Sequence, residues 1–64
     1  MKTWKVREIT DYIKNDGWYF VRQKGSHKQY QHPTKPGTVT IPGLPSYDLP
    51  AGTAKAILIQ AGLM

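Results

Sequence analysis

The chain has 64 residues, which is enough for one small domain and too few for two. It contains no cysteine, which excludes disulfide bonds and thiolate metal sites and is compatible with a reducing compartment. Nine lysine and arginine residues against four acidic residues give a net charge of +5, which favours an anionic partner such as nucleic acid, an acidic protein or a membrane surface. The first residues do not resemble a secretion signal, and no apolar run approaches membrane-spanning length, so we expect a cytoplasmic protein.

The first predicted element is a helix over residues 4–15. Thr3 can cap this helix, because its hydroxyl can accept a hydrogen bond from an early amide that lacks a partner within the helix. Gly17 ends the helix, since glycine readily adopts the left-handed conformation found at helix ends. Apolar residues recur at intervals of three and four and predict a buried stripe. This stripe comprises Val6, Ile9, Tyr12 and Ile13.

A β-hairpin is predicted to follow the helix. Aromatic and β-branched residues over 18–23 favour a first strand. Strict alternation gives this strand one face made of Trp18, Phe20 and Arg22. Lys24-Gly25 is the predicted turn, and the second strand runs from residue 26 to residue 31 or 32.

The second half of the chain predicts a third strand and a second helix. The strand covers residues 38–41 and follows a turn rich in proline and glycine. Pro42 ends it, because proline has no amide to donate to a neighbouring strand. The helix opens at residues 51–53 and ends at Gly62. Its predicted buried stripe comprises Ala54, Ile57, Leu58 and Ala61.

The predicted order is helix, three strands, helix, which is an α+β fold. Both helices can bury their stripes against one face of a three-stranded antiparallel sheet, which leaves the other face open to solvent. Tyr30 is the best core candidate of the second strand, and residues an odd number of positions from it point away from the core. Lys28 and His32 therefore share the face of Tyr30. The open face is predicted to carry His27, Gln29, Gln31, Thr38 and Thr40.

The stretch Gly25-Ser26-His27 combines flexible backbone, a hydroxyl and an imidazole, and it lies between Lys24 and Lys28. Histidine changes protonation state near neutral pH and can act as a general base. Such a base can remove the 2′-hydroxyl proton of RNA, after which that oxygen attacks the neighbouring phosphate. The developing charge needs donors, which the two lysines, the Ser26 hydroxyl and the turn amides can supply. A surface histidine in an ordinary hairpin explains the same residues, so both interpretations stay open at this point.

Other chemistries fit the sequence less well. His27 and His32 are five residues apart on a predicted strand and point to opposite faces, which argues against a metal-binding pair. Ser26 has no nearby acid to orient a histidine and lies in no nucleophile-elbow motif. The sequence also has no phosphate-binding loop or dinucleotide fingerprint. We therefore expect neither a metal ion nor another cofactor.

Five aromatic side chains are candidates for stacking on nucleic-acid bases: Trp4, Tyr12, Trp18, Tyr19 and Tyr47. Core or staple packing is the better explanation for most of them, and we expect Trp18 in the core. Tyr47 lies in a proline-rich loop, and both interpretations stay open for it.

Short pieces distributed along the chain resemble the HicA toxin family. In the first half they are Gly17-Trp18, Arg22-Gln23-Lys24-Gly25-Ser26-His27, Tyr30 and His32-Pro33. In the second half they are Val39-Thr40-Ile41-Pro42, Leu49-Pro50, Gly52-Thr53 and Ile57-Leu58-Ile59-Gln60-Ala61-Gly62-Leu63. They occur in the family's order and spacing over nearly the whole chain, and together they are specific although each is weak alone.

The resemblance implies a single HicA-like domain over residues 1–64 with a double-stranded-RNA-binding-like fold of order α-β-β-β-α. It implies an mRNA interferase, which is an endoribonuclease toxin that cleaves mRNA without a metal ion and arrests translation. It also implies that a HicB-type antitoxin neutralises the toxin in a hetero-oligomer. The family's catalytic histidine corresponds to His27. We expect RNA contacts from Arg22, Lys24, Gly25, Ser26, Lys28 and Gln29.

The chain departs from the family pattern in two places. Many relatives carry a second histidine just after the third strand, whereas Gly43 follows Pro42 here, so no such histidine can assist His27. The last helix lacks the lysine cluster of duplex binders, since only Lys55 lies near its start, which favours single-stranded mRNA. Two alternatives stay open: a catalytically inactive RNA-binding module and a basic protein-interaction domain.

Overall fold

The chain folds as a helix, three strands and a second helix in the computed structural model, which describes residues 3–64. The elements are α1 (Val6–Asn15), β1 (Tyr19–Lys24), β2 (His27–Gln31), β3 (Val39–Ile41) and α2 (Ala51–Gln60). The strands form one antiparallel sheet in the order β1-β2-β3. This confirms the predicted α+β fold. None of the helices within the described residues is long and apolar enough to cross a membrane.

One hydrophobic core joins both helices to a single face of the sheet. Its buried members are Val6, Ile9, Ile13, Trp18, Tyr30, Val39, Ile41, Leu49, Ala54, Ile57, Leu58 and Ala61. Trp18 is 1% exposed, as predicted, and its indole N–H donates to the Ala61 carbonyl at 3.2 Å. The polar atom of this large side chain is therefore paired inside the core. Since both helices lie on this side, the opposite sheet face stays open.

The helix α1 begins at Val6, later than predicted, and Thr3 is not its cap. The N-cap residue is Lys5, whose backbone amide donates to Glu8 Oε1 at 2.9 Å. Lys5 also forms an antiparallel bridge with Asp48 in the loop before α2, and its ammonium pairs with the Asp48 carboxylate at 3.0 Å. Because this bridge holds Lys5 in extended conformation, the helix starts only at the next residue.

Tyr12 lies outside the buried stripe of α1, contrary to the prediction. Its side chain is 46% exposed and packs against Trp4, with ring centroids 5.3 Å apart. Tyr12 is three residues from Ile9, which places it at the margin of the stripe. At this margin the Tyr12 ring contacts Trp4 and not the buried residues of the core. The stripe predicted for the second helix is buried at all four positions.

The boundaries of the hairpin and of the third strand differ from the prediction by one residue. The turn is Gly25-Ser26 rather than Lys24-Gly25, because Lys24 still pairs with His27 across the hairpin. The strand β2 therefore begins at His27, and β3 begins at Val39 instead of residue 38.

A β-bulge at Val21 breaks the alternation of β1. Phe20 pairs with Tyr30 and faces the core side, but the next pair joins Arg22 to Gln29, so Val21 is the extra residue. Residues that pair across antiparallel strands project to the same face, and Gln29 points away from its neighbour Tyr30. Arg22 therefore lies on the open face, and its predicted place on the face of Phe20 is wrong.

Candidate functional site

The turn between β1 and β2 is a two-residue loop, Gly25-Ser26. Gly25 has a φ of +61°, a left-handed value that suits the first central residue of a type II′ hairpin turn. Two hydrogen bonds hold the turn. The Gln23 side chain donates to the Gly25 carbonyl at 2.9 Å, and the Gly43 amide donates to the Ser26 carbonyl at 3.1 Å. The backbone next to His27 is therefore held by β1 and by the segment just after β3.

His27 is the first residue of β2 and pairs directly with Lys24, the last residue of β1. Both side chains are exposed and lie on the open sheet face, as the alternation around Tyr30 predicted for His27. Among residues 3–64 the His27 imidazole has no hydrogen bond, ion pair or ring contact. Both of its ring nitrogens are consequently accessible to a ligand for proton transfer.

Three rows of paired side chains cross the open face. The first row holds Lys24 and His27, the second Arg22, Gln29 and Thr40, and the third Tyr19 and Gln31. Neighbouring rows are about 6.6 Å apart, since a strand advances by about 3.3 Å per residue and alternate residues share a face. In the second row the Arg22 Nε donates to Gln29 Oε1 at 2.7 Å, which orients the guanidinium.

The open face carries positive charge and no acidic side chain of the described chain. Arg22 and Lys24 lie in adjacent rows next to His27. The chain's acidic residues are Glu8 and Asp11 in α1, Asp16 just after it, and Asp48 in the loop before α2. Asp16 and Asp48 are each paired with a lysine. An anion that approaches the open face therefore meets cations without opposing carboxylates.

Lys28 does not share the face of His27. It pairs with Gln23 on β1 and with Ile41 on β3, and Ile41 is a core residue, so Lys28 projects toward the helix side. There it borders a shallow depression together with Lys14 and Phe20. The other residues expected to contact RNA lie on the open face or in its turn: Arg22, Lys24, Gly25, Ser26 and Gln29.

A family model described as the HicA toxin of bacterial toxin–antitoxin systems matches residues 6–63 of the chain. The chain belongs to the HicA toxin family. The matched range includes both helices and all three strands, and therefore also the Gly25-Ser26 turn and His27. No curated protein matches the chain. Family membership makes this HicA-type chain a toxin of a toxin–antitoxin system.

The second histidine of this HicA-family chain is part of the framework. His32 lies just after β2, and its side chain is only 8% exposed. Its Nε2 donates to the Asp16 backbone carbonyl at 2.6 Å, while Nδ1 accepts from the Thr34 and Lys35 amides at 3.1 Å each. Because two amides donate to Nδ1, the ring proton is assigned to Nε2. Both ring nitrogens of His32 are engaged within the framework, so neither is presented to a ligand beside His27.

His32, Lys35 and Trp18 together join the ends of α1, β2 and α2. The Lys35 ammonium pairs with the Asp16 carboxylate and also donates to the Ala61 carbonyl at 3.1 Å. The Trp18 indole meets the His32 ring edge-on, with ring centroids 5.2 Å apart. The hydrogen bond from Lys35 holds the pKa of the Asp16 carboxyl below its usual value. The Gly17-Trp18 and His32-Pro33 pieces of the HicA pattern thus have a structural use in this chain.

Tyr19, one of the five stacking candidates of the sequence, lies on the open face and not in the core. It is 51% exposed and pairs with Gln31 in the third row. The sequence indicates this placement, because a core position for Trp18 makes the next residue of an extended chain point to the opposite face.

Proposed function

We propose that the chain is an mRNA interferase: a single-domain endoribonuclease over residues 1–64 that cleaves mRNA without a metal ion and so arrests translation. The observation that carries this proposal is the position of His27, which is exposed, faces Lys24 across the hairpin and lies one row from Arg22. Membership in the HicA toxin family supports the same activity.

His27 acts as the general base of the proposed reaction. It takes the proton of a ribose 2′-hydroxyl, and the 2′-oxygen then attacks the adjacent phosphorus. The bond from phosphorus to the 5′-oxygen of the next nucleotide breaks, which leaves a 2′,3′-cyclic phosphate on one fragment and a 5′-hydroxyl on the other. Arg22, oriented by Gln29, stabilises the negative charge that develops on the phosphate oxygens.

The leaving 5′-oxygen takes its proton from a second donor. In an in-line displacement the leaving 5′-oxygen lies on the side of phosphorus opposite the attacking 2′-oxygen. The leaving oxygen is therefore on the side away from His27. Lys24 is the charged donor that faces His27 across the hairpin, and Ser26 lies in the turn that connects the two residues. We assign the proton transfer to Lys24, while the hydroxyl and amide groups of the Gly25-Ser26 turn bind the non-bridging oxygens.

The proposed protein partner is a HicB-type antitoxin in a cytoplasmic hetero-oligomer. Toxins of this family act within toxin–antitoxin systems, so a cognate antitoxin is expected. Acidic residues of the antitoxin that face Arg22 and Lys24 would cover His27 and exclude mRNA from the same surface. The reaction needs no small-molecule cofactor, because the imidazole and its neighbouring cations supply the proton transfers and the charge stabilisation.

A direct test compares wild type, His27→Ala and Lys28→Ala for cleavage of single-stranded mRNA in excess chelator and for growth arrest without antitoxin. We expect His27→Ala to lower the cleavage rate by about 10²- to 10⁴-fold, as the loss of a general base does. Lys28→Ala is the matched control, because it removes a cation from the opposite sheet face. If His27→Ala arrests growth as well as wild type does, His27 is not the catalyst.

One observation favours a catalytically inactive RNA-binding module as the second candidate. Gly43 stands just after Pro42, where many HicA relatives carry a second histidine, and a Cβ added there would lie 3.3 Å from the Tyr47 ring. RNA binding without product at high protein concentration would establish this candidate. Absence of RNA affinity even at low salt would instead favour a basic protein-interaction domain.

A further inference from the structure

The open sheet face holds an exposed aromatic ring in line with His27. Tyr19 pairs with Gln31 in the third row, and Gln31 and His27 lie four residues apart on β2. This spacing puts the Tyr19 row roughly 13 Å from the His27 row. Arg22 lies in the row between them, so a cation stands midway between the aromatic ring and the imidazole.

Tyr19 differs from the other exposed tyrosines in the contacts of its ring. Tyr12 packs against Trp4, and Tyr47 lies against Gly43 in the loop that follows β3. Tyr19 is 51% exposed and has no ring contact or hydrogen bond among residues 3–64. A planar ligand can therefore stack on it without displacing another side chain.

We propose that the open sheet face is a track for single-stranded RNA, in which a base near the cleaved phosphodiester stacks on Tyr19. Stacking of bases on aromatic side chains is the common way in which proteins hold unpaired nucleic acid, and it tolerates different bases. This proposal rests on the proposed ribonuclease function, and it adds a base-binding residue and the path of the RNA strand across the sheet.

The polar side chains of the track suit an unpaired strand. Gln29, Gln31 and Thr40 carry amide and hydroxyl groups that can donate to or accept from base edges and 2′-hydroxyl groups. In a duplex the base faces are covered by stacked neighbours, so no base could lie on Tyr19. A sheet face that carries the Tyr19 ring and the cations Arg22 and Lys24 therefore favours a single strand over an A-form helix.

The test uses His27→Ala protein, which keeps the track but does not consume the RNA. Binding of a short fluorescent single-stranded oligonucleotide is measured for this protein and for the same protein with Tyr19→Ala, Tyr19→Phe or Tyr12→Ala. Loss of one stacked base predicts affinity weaker by roughly 5- to 150-fold for Tyr19→Ala. Tyr19→Phe keeps the ring and should bind like the parent protein, and so should Tyr12→Ala, which removes an exposed tyrosine from the helix layer.

Two further readouts make the result specific. Because stacking is uncharged, Tyr19→Ala should leave the dependence of log affinity on log salt concentration unchanged. An unlabelled fully paired RNA of the same sequence should compete more weakly than the single strand. Equal affinity of the Tyr19→Ala and Tyr12→Ala proteins, or equal competition by the duplex, would contradict the proposal that single-stranded RNA stacks on Tyr19.

Failure of the track and failure of the proposed catalysis give different results. If Tyr19→Ala binds normally while His27→Ala abolishes cleavage, the track is wrong and the catalytic proposal stands. If Tyr19→Ala weakens binding while the His27→Ala protein still cleaves, the track stands and the role of His27 is wrong.

Discussion

Gln29 holds Arg22 across the hairpin: the Arg22 Nε donates to Gln29 Oε1 at 2.7 Å on the open sheet face. The β-bulge at Val21 makes this contact possible, because it turns Arg22 away from the core side, where strict alternation would direct it. The other guanidinium N–H groups have no partner among the described residues. They remain available to a phosphate beside His27.

Replacement of Arg22 should weaken RNA binding and reduce its dependence on salt. In the His27→Ala protein, Arg22→Ala should make the decrease of log affinity with log salt concentration less steep by about 0.7, the value for one phosphate contact on a single strand. Lys28→Ala should leave this slope unchanged, because Lys28 projects to the helix side of the sheet. Fluorescence anisotropy over a range of salt concentrations measures both slopes.

A Gln29→Ala variant separates the charge of Arg22 from its orientation. This change keeps the positive charge but removes the acceptor of the Arg22 Nε, so affinity should fall with little change in slope. A slope reduced by Lys28→Ala as much as by Arg22→Ala would instead mean that RNA does not lie on the open face.

Local periodicity in the sequence correctly predicted which faces of α1 and β2 are buried. The spacing of Val6, Ile9 and Ile13 identified the face of α1 that packs on the sheet. Counting along the second strand from the core residue Tyr30 identified the face that His27 occupies. Both inferences need only that a helix repeats about every 3.6 residues and a strand every two.

Features that depend on a partner distant in sequence were not predictable from local periodicity. The start of α1 depends on Asp48, which holds Lys5 in extended conformation from across the chain. The sheet face on which Arg22 lies depends on which residue of β2 pairs with it. No local sequence pattern predicts the bulge that sets this pairing. His32 has its role only because Asp16 approaches it after folding.

Removal of the His32 side chain should destabilise the fold. His32→Ala removes the acceptor of the Thr34 and Lys35 amides and the donor to the Asp16 carbonyl. It also leaves a gap beside Trp18. We expect the free energy of unfolding to fall by roughly 2–4 kcal/mol. Urea denaturation measures it, and His27→Ala is the control because the exposed His27 ring has no partner. Equal loss in both variants would contradict the framework role of His32.

Stability should decrease in acid partly through Asp16. Lys35 holds the pKa of this carboxyl below its usual value of 3.8, so the unfolded chain binds the proton first as the pH falls. The stabilising contribution is therefore present above pH 3.8 and is lost as the pH falls through the lower pKa of the folded state. Lys35→Gln should flatten this acid limb in urea titrations at several pH values. Lys55→Gln, which removes an exposed lysine of α2, should leave the limb unchanged.

Replacement by alanine should lower the free energy of unfolding by different amounts at two glycines that have positive φ, Gly25 and Gly17. Gly25 has a φ of +61° and open space around an added Cβ, so Gly25→Ala should cost only the backbone strain, about 1–2 kcal/mol of unfolding free energy. Gly17 has a φ of +111°, and an added Cβ would lie 2.7 Å from His32 Nε2. Gly17→Ala should therefore cost more than Gly25→Ala, because it also pushes His32 away from the Asp16 carbonyl.

A double-mutant cycle can isolate this steric contribution. In a His32→Ala background the atom that Gly17→Ala would meet is absent, so the cost of Gly17→Ala should fall toward that of Gly25→Ala. The cost of Gly25→Ala should be the same in both backgrounds, since nothing lies within 4 Å of its added Cβ. An unchanged cost of Gly17→Ala in the His32→Ala background would mean that backbone strain alone keeps glycine at this position.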